Sequence, residues 1–212
     1  MSFRTERDSM GEVQLPADAL YQAQTQRALD NFQISSLTMP PAFIKAVLRV
    51  KQAAAAANLE LKLLEPQIAS AIHTAAEQQL LELNMANYPI DLFQTGSGTS
   101  TNMNVNEVLA TLASKSSGLP INPNDHINLG QSSNDVIPTA IHLSAALANH
   151  QLMETLTRLE AVIATKAQEV GHVVKTGRTH LMDAMPVTFA QVLSGWQAQI
   201  AHARQQLEFA QQ

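Results

Sequence analysis

Three short polar segments interrupt a chain whose other stretches are apolar and periodic. The first is Gln94-Thr95-Gly96-Ser97-Gly98-Thr99. Its glycines permit close backbone approach, and its hydroxyls precede a predicted helix, where free N–H groups and the helix dipole attract anions. No P-loop lysine follows and no clear strand precedes, so this is not a nucleotide loop. A turn with an ordinary helix cap accounts for the same residues. The second, Gln131-Ser132-Ser133-Asn134-Asp135, also opens a helix and reads either as a second anion-binding terminus or as a cap. The third is Gly177-Arg178-Thr179-His180. A histidine beside a hydroxyl is an acid/base candidate, because imidazole titrates near neutrality. Arg178 could grip a carboxylate or brace its own loop through ion pairs. Each segment alone has a structural explanation. Together, two helix starts and one titratable group suit a small dicarboxylate better than a phosphate ester.

The composition bounds the rest of the chemistry. Of the 212 residues, 45% are hydrophobic and 15% charged, enough for a buried core. Aromatic residues are only 4%, while Ala, Leu and Gln abound, which favours helices packed on helices. The net charge of -5 argues against nucleic acid or an anionic membrane as main partner. No apolar run is long enough to span a bilayer. The start, MSFRTERDSM, carries Glu6 and Asp8 and resembles neither a secretory signal nor a transit peptide, so a cytoplasmic location is expected. The absence of cysteine excludes disulfides, a thiolate nucleophile and a cysteine-held iron–sulfur cluster. The seven histidines show no zinc spacing, so we expect neither metal nor cofactor.

Helices must position these segments. Residues 1–37 lack long periodicity and read as an extended arm with short helical pieces. Thr38, ahead of Pro40 and Pro41, is the expected cap of a helix carrying Phe43, Ile44, Val47, Leu48, Ala54 and Ala55 and running to about Leu64. Pro66 opens another, with Ile68, Ile72, Ala75, Ala76, Leu80 and Leu83 on one face, and Pro89 closes that region. The segment from Gln94 to Val108 leads into a helix with Val105, Val108, Leu109 and Leu112; Gly118, Pro120 and Pro123 mark a loop. Ser132 and Ser133 should cap a long helix in which Leu152, Leu156, Leu159 and Ile163 recur in steps of four and three, a bundle seam. A short loop holds Thr179 and His180. Pro186 then opens a last helix with Phe189, Leu193, Trp196, Ile200, Ala203, Leu207 and Ala210 at the same spacing. That pattern still runs at Gln212 with no Gly or Asn cap, so the chain is expected to be cut within a helix.

The same segments, in this order, resemble the fumarase/aspartase superfamily, and class II fumarases in particular. The likeness covers nearly the whole chain. It begins at Arg7-Asp8-Ser9-Met10-Gly11-Glu12, Leu15-Pro16-Ala17-Asp18 and Ala23-Gln24-Thr25-Gln26-Arg27. Its most specific part is QTGSGTSTNMNVNEV, Gln94 to Val108; SSND (Ser132 to Asp135) and GRTHLMDA (Gly177 to Ala184) follow. His180 after Thr179 looks like a fumarase, since aspartases carry glutamine there, a different GSGT loop and a threonine within SSND.

The resemblance implies an all-α enzyme: an N-terminal lyase domain over residues 1–130, and over 131–212 the first long helices of a central bundle. It implies a homotetramer with each active site built from three subunits, and the reversible anti addition of water to fumarate to give L-malate. Ser97, Gly98, Thr99, Ser132, Ser133, Asn134 and Thr179 would then bind substrate carboxylates, with His180 in the acid/base role through a water. A second anion site would lie at Asn122, Pro123, Asn124 and Asp125. Many family members have histidine where Asn122 stands, and a glycine is common in the arm where Gln22 stands. The family's catalytic serine lies in a GSSxMPxKxNP loop, and Lys45, Lys51, Lys62, Lys115, Lys166 and Lys175 all lie outside such a context. These 212 residues alone are therefore expected to be inactive. Two other readings are a non-catalytic helical assembly module keeping a dicarboxylate pocket, and an aspartase or other succinyl lyase of the same superfamily.

Overall fold

A computed structural model describes residues 2–211, which are predominantly helical, as the residue mix predicts. Two compact units, Met1–Ser144 and Ala145–Gln212, divide the chain.

In the first unit the expected arm is instead a hairpin and a helix. Strands β1 (Phe3–Asp8) and β2 (Gly11–Pro16) pair antiparallel from Phe3↔Pro16 to Asp8↔Gly11. Only Leu15 is buried, so the alternation is too shallow to read as a strand. Side-chain ions pin it. Arg4 donates to the carbonyls of Pro16, Ala17, Ala19 and Tyr21 at 2.7–3.2 Å. Arg27, on helix α1 (Ala23–Asn31), grips Asp8 with two bonds of 2.8 Å. Such two-point pairing fixes orientation as well as distance.

Helix α2 (Pro41–Glu60) starts with proline in its first turn, where the missing N–H costs nothing. Its cap is Pro40, not Thr38; Thr38 bridges instead to Asp91. The helix stops at Glu60, short of the predicted Leu64. Helices α3 (Pro66–Leu81) and α4 (Thr99–Ser117) pack with it. Ile44, Val47 and Leu48 of α2 meet Ile72 and Ala76 of α3 and Val105, Val108 and Leu109 of α4, all fully or nearly fully buried. At about 1.5–3 kcal/mol for each large aliphatic side chain, this cluster is the main stabiliser of the unit.

Helix α5 (Ser133–Val170) starts in the first unit and ends in the second. There the predicted loop around His180 proves to be a hairpin, β3 (Val174–Thr179) with β4 (Met182–Thr188). Pro186 lies in β4 and does not open the last helix. Helix α6 (Phe189–Phe209) starts after Thr188, which forms a reciprocal capping box with Gln191. Arg204 pairs with Glu160 at 2.8 Å, and Asn149 donates to the Leu207 carbonyl, tying α6 to α5. The predicted seam is only half filled: Ile163 and Leu193 are buried, while Leu152, Leu159 and Trp196 remain exposed. Among the described residues no helix is long and apolar enough to cross a membrane.

Candidate active site

Gly98 stands at the cap position just before helix α4, and its φ of 65° lies in the left-handed region. A Cβ there would lie 3.1 Å from three carbons of Ile137, so glycine lets the GSGT turn press directly onto the start of α5. Gly98 supplies no side-chain cap, which leaves N–H groups of the first turn free to meet an anion. Gln94 takes one of them, accepting from the Thr101 N–H at 2.8 Å and donating to the Thr101 hydroxyl. Ser97 and Thr99 are exposed, with their hydroxyls 2.9 Å apart.

The second helix start is close by. Ser132 accepts from the Asn134 N–H at 3.2 Å, the capping bond the sequence implied. Ser133 accepts from Asn102, one turn into α4, at 3.0 Å. The structure therefore brings Ser97, Gly98, Thr99, Ser132, Ser133 and Asn134 to one place. Two helix dipoles point their positive ends there, and four exposed or half-buried hydroxyls line it.

Behind this place sits a group that the motifs did not signal. Lys51, fully buried on α2, donates to Asn128 Oδ1 at 3.0 Å and to Gln131 Oε1 at 2.8 Å. Asn102 and Asn106 donate to the same Asn128 oxygen at 3.1 and 3.2 Å. Burial pushes the Lys51 amine down to about 7. A signal was present in the sequence: Lys51 falls on the helical face of Ile44, Val47, Leu48 and Ala55, where a charge is out of pattern.

Thr179 and His180 belong to the second unit. Thr179 pairs with Met182, so His180 and Leu181 form the two-residue turn of the hairpin, with φ of 51° and 59°. Such a turn normally takes Asn-Gly, because two left-handed residues in succession strain ordinary side chains. Strain of this kind is often kept where a side chain must be held out, and His180 is exposed here. Arg178 lies 3.7 Å from Asp183 across the hairpin, the bracing role rather than a free guanidinium. Gly177 stands at a bulge, where a Cβ would come within 2.6 Å of the Met185 carbonyl oxygen.

The loop of Asn122, Pro123, Asn124 and Asp125 forms a short π-turn, Pro123–Ile127. Asn122 Oδ1 accepts from the Asn124 and Asp125 N–H groups at 2.8 and 3.0 Å, so its side chain serves as the cap. The Asn122 N–H donates to His126 Nδ1 at 3.0 Å, which puts in this loop a titratable ring that no motif marked. Gln22 also gains a role: it donates to the Thr111 hydroxyl of α4 at 3.1 Å.

Comparison with known proteins adds the family. The lyase family model matches residues 11–212. The chain belongs to that lyase family. It is similar to the class II fumarate hydratase 2 of Pseudomonas aeruginosa, at 56% identity over 97% of this chain and 45% of that protein. Among solved structures, the recombinant class II fumarase of Schistosoma mansoni superposes with a TM-score of 0.87 at 38% identity, covering 96% of this chain and 44% of its own. A fumarate lyase:delta crystallin from Brucella melitensis gives 0.89 at 40% identity, covering 98% and 50%. The lyase chain thus spans about half the length of the relatives it matches.

Proposed function

We propose that this lyase chain carries part of the substrate site of a fumarate hydratase, which adds water reversibly to fumarate to give L-malate. The observation that carries the reading is the meeting of two helix starts, α4 and α5, with the Ser133 hydroxyl fixed by Asn102. A carboxylate there would receive backbone N–H groups, the hydroxyls of Ser97, Thr99, Ser132 and Ser133, and the Asn134 side chain. When a base removes the proton next to that carboxylate, charge flows into its oxygens. Donors already aimed at them stabilise that charge without reorganising. Thr179 would add a further hydroxyl and His180 the acid/base group, acting through a water. Asn122 to Asp125, with His126, would hold a second anion.

In the whole protein, residues 1–130 would form an N-terminal domain and 131–212 the first part of a helical bundle. The half-filled seam of α5 and α6 supports assembly into a homotetramer. We place the protein in the cytoplasm.

The test is titration of the chain with fumarate, followed by amide NMR shifts. Shifts confined to Ser97–Ser100 and Ser132–Asn134, with aspartate much weaker, support the reading. A chain that binds aspartate and ignores fumarate would point to an aspartase; no response to either would overturn the site. Hydratase activity, read from fumarate absorbance, should be negligible for these 212 residues.

A further inference from the structure

Behind the helix starts, one contact chain begins at a group that donates to both of its amide partners. Asparagine and glutamine amides can turn over, exchanging donor for acceptor. A lysine ammonium only donates. Lys51 Nζ faces Asn128 and Gln131, so both amides must present oxygen to it. A neutral amine gains a lone pair but keeps two N–H groups, and the Asn128 and Gln131 amide nitrogens are already engaged, donating to the Gln131 and Ile127 carbonyls, so both oxygens stay toward it. With Oδ1 of Asn128 turned toward Lys51 and α4, Asn102 must meet that oxygen with Nδ2. The second hydrogen on the same Nδ2 is then directed to Ser133 Oγ, 3.0 Å away. Ser133 is therefore obliged to accept from below, and its own proton is left to point outward. Turned over, Asn102 would set its oxygen against the Asn128 oxygen and demand the Ser133 proton for itself. The Asn102 oxygen is instead buried and unpaired, a cost imposed by the orientation of Asn128, which Lys51 and the Gln131 carbonyl hold together.

We propose that Lys51 is a positioning residue that fixes the Ser133 hydroxyl as a donor toward a carboxylate bound between the starts of α4 and α5. This rests on the functional reading above. Lys51 does not touch that carboxylate; it acts through Asn128 and Asn102.

The test uses the full chain with Lys51→Met, Ser133→Ala and the double variant. Without ligand, the Asn102 side-chain amide should exchange slowly in the wild type and rapidly in Lys51→Met; unchanged exchange overturns the relay. Fumarate affinity, read by amide shifts, should fall about tenfold in each single variant, one directed hydrogen bond to a charge. The double variant should be no weaker than Ser133→Ala. A purely structural role would make the losses multiply, to about a hundredfold, and would overturn the proposal. Should Lys51→Met not fold, Asn128→Leu cuts the relay one step on, keeps the amine, and is held to the same outcomes. A wild type that ignores fumarate overturns the functional reading, while the relay is still decided by the Asn102 amide.

Discussion

Replacing Lys51 by methionine should reverse the order of stability of the two proteins between about pH 6 and pH 10. The native amine titrates near 7 against an ordinary value of 10.5, and each tenfold loss of proton affinity corresponds to about 1.4 kcal/mol. Below pH 7 the amine is charged in both native and unfolded chains, and the native state bears the full desolvation cost, roughly 5 kcal/mol. As pH rises above 7 the native amine sheds its proton while the unfolded chain keeps its own. Stability therefore climbs between about pH 7 and 10.5. From about pH 6 to 10 the gain should be about 4 kcal/mol. Methionine has no proton to bind, but it leaves the Gln131 Oε1 acceptor unpaired, at about 1–3 kcal/mol. The variant should thus be the more stable protein near pH 6 and the less stable near pH 10. Urea unfolding at several pH values, followed by circular dichroism, measures this. Taking the difference between the two proteins cancels every other titrating group. A difference that stays flat from about pH 6 to 10 would refute the reasoning, for it would mean that Lys51 is solvated.

Three further outcomes follow from local geometry. Gly98→Ala adds a Cβ at positive φ, 3.1 Å from Ile137, and should lower the urea midpoint by an amount corresponding to about 1–3 kcal/mol. Leu181→Gly removes left-handed strain from a side chain that packs on nothing, so amide exchange in β3 should slow by a factor corresponding to about 1 kcal/mol. Asp91 is held below the usual carboxylate value first by the Phe93 N–H and then by Ser35 and Ile34. That contribution is present above the ordinary value of 3.8 and is lost only as pH falls through the lower native one. The Ile34 and Ser35 amides should therefore stay protected in mild acid and open in stronger acid, whereas Asp91→Asn should leave them less protected at every pH.

How legible the molecule was depended on the kind of signal. Helical periodicity located α2, α3, α4 and the long α5 because the apolar residues of each recur along one face, buried in the first three and half-covered in α5. The hairpins escaped it. β1 and β2 alternate in exposure but bury only Leu15, and β3 and β4 are largely exposed, so the alternation is too shallow to stand out in hydropathy. Their stability comes instead from Arg4, the Arg27–Asp8 pair and backbone ladders, which leave little trace in hydropathy. The GSGT and SSND segments were visible as helix starts, but their meeting through Gly98 and Asn102 is a long-range contact no local pattern encodes. Lys51 was visible as an anomaly only to a reading that asks why a charge sits on an apolar face.

A buried charge also stands at the start of helix α1. Gln22 offers α1 no side-chain cap of its own. The N–H groups of Gln22 and Thr25 converge on one oxygen of Glu107 and that of Gln24 on the other, at 2.9–3.0 Å. A buried carboxylate on α4 thus serves as the cap of a helix more than 80 residues earlier. Burial raises the Glu107 pKa, and the hydrogen bonds from Thr25, Gln22 and Gln24 oppose that rise without cancelling it. A raised carboxylate contributes most below its unfolded value and less as pH rises through the native one. Glu107→Gln keeps the shape but has a single acceptor oxygen, and its amide nitrogen turns a donor against at least one N–H. Each N–H left unpaired costs about 1–3 kcal/mol, partly offset by removing the buried charge. The variant should therefore lose stability, by more near pH 5 than near pH 7, and exchange at the first turn of α1 should quicken at both. A glutamine variant as stable as the wild type near pH 5 would mean that α1 is held by packing on α4 and not by its cap.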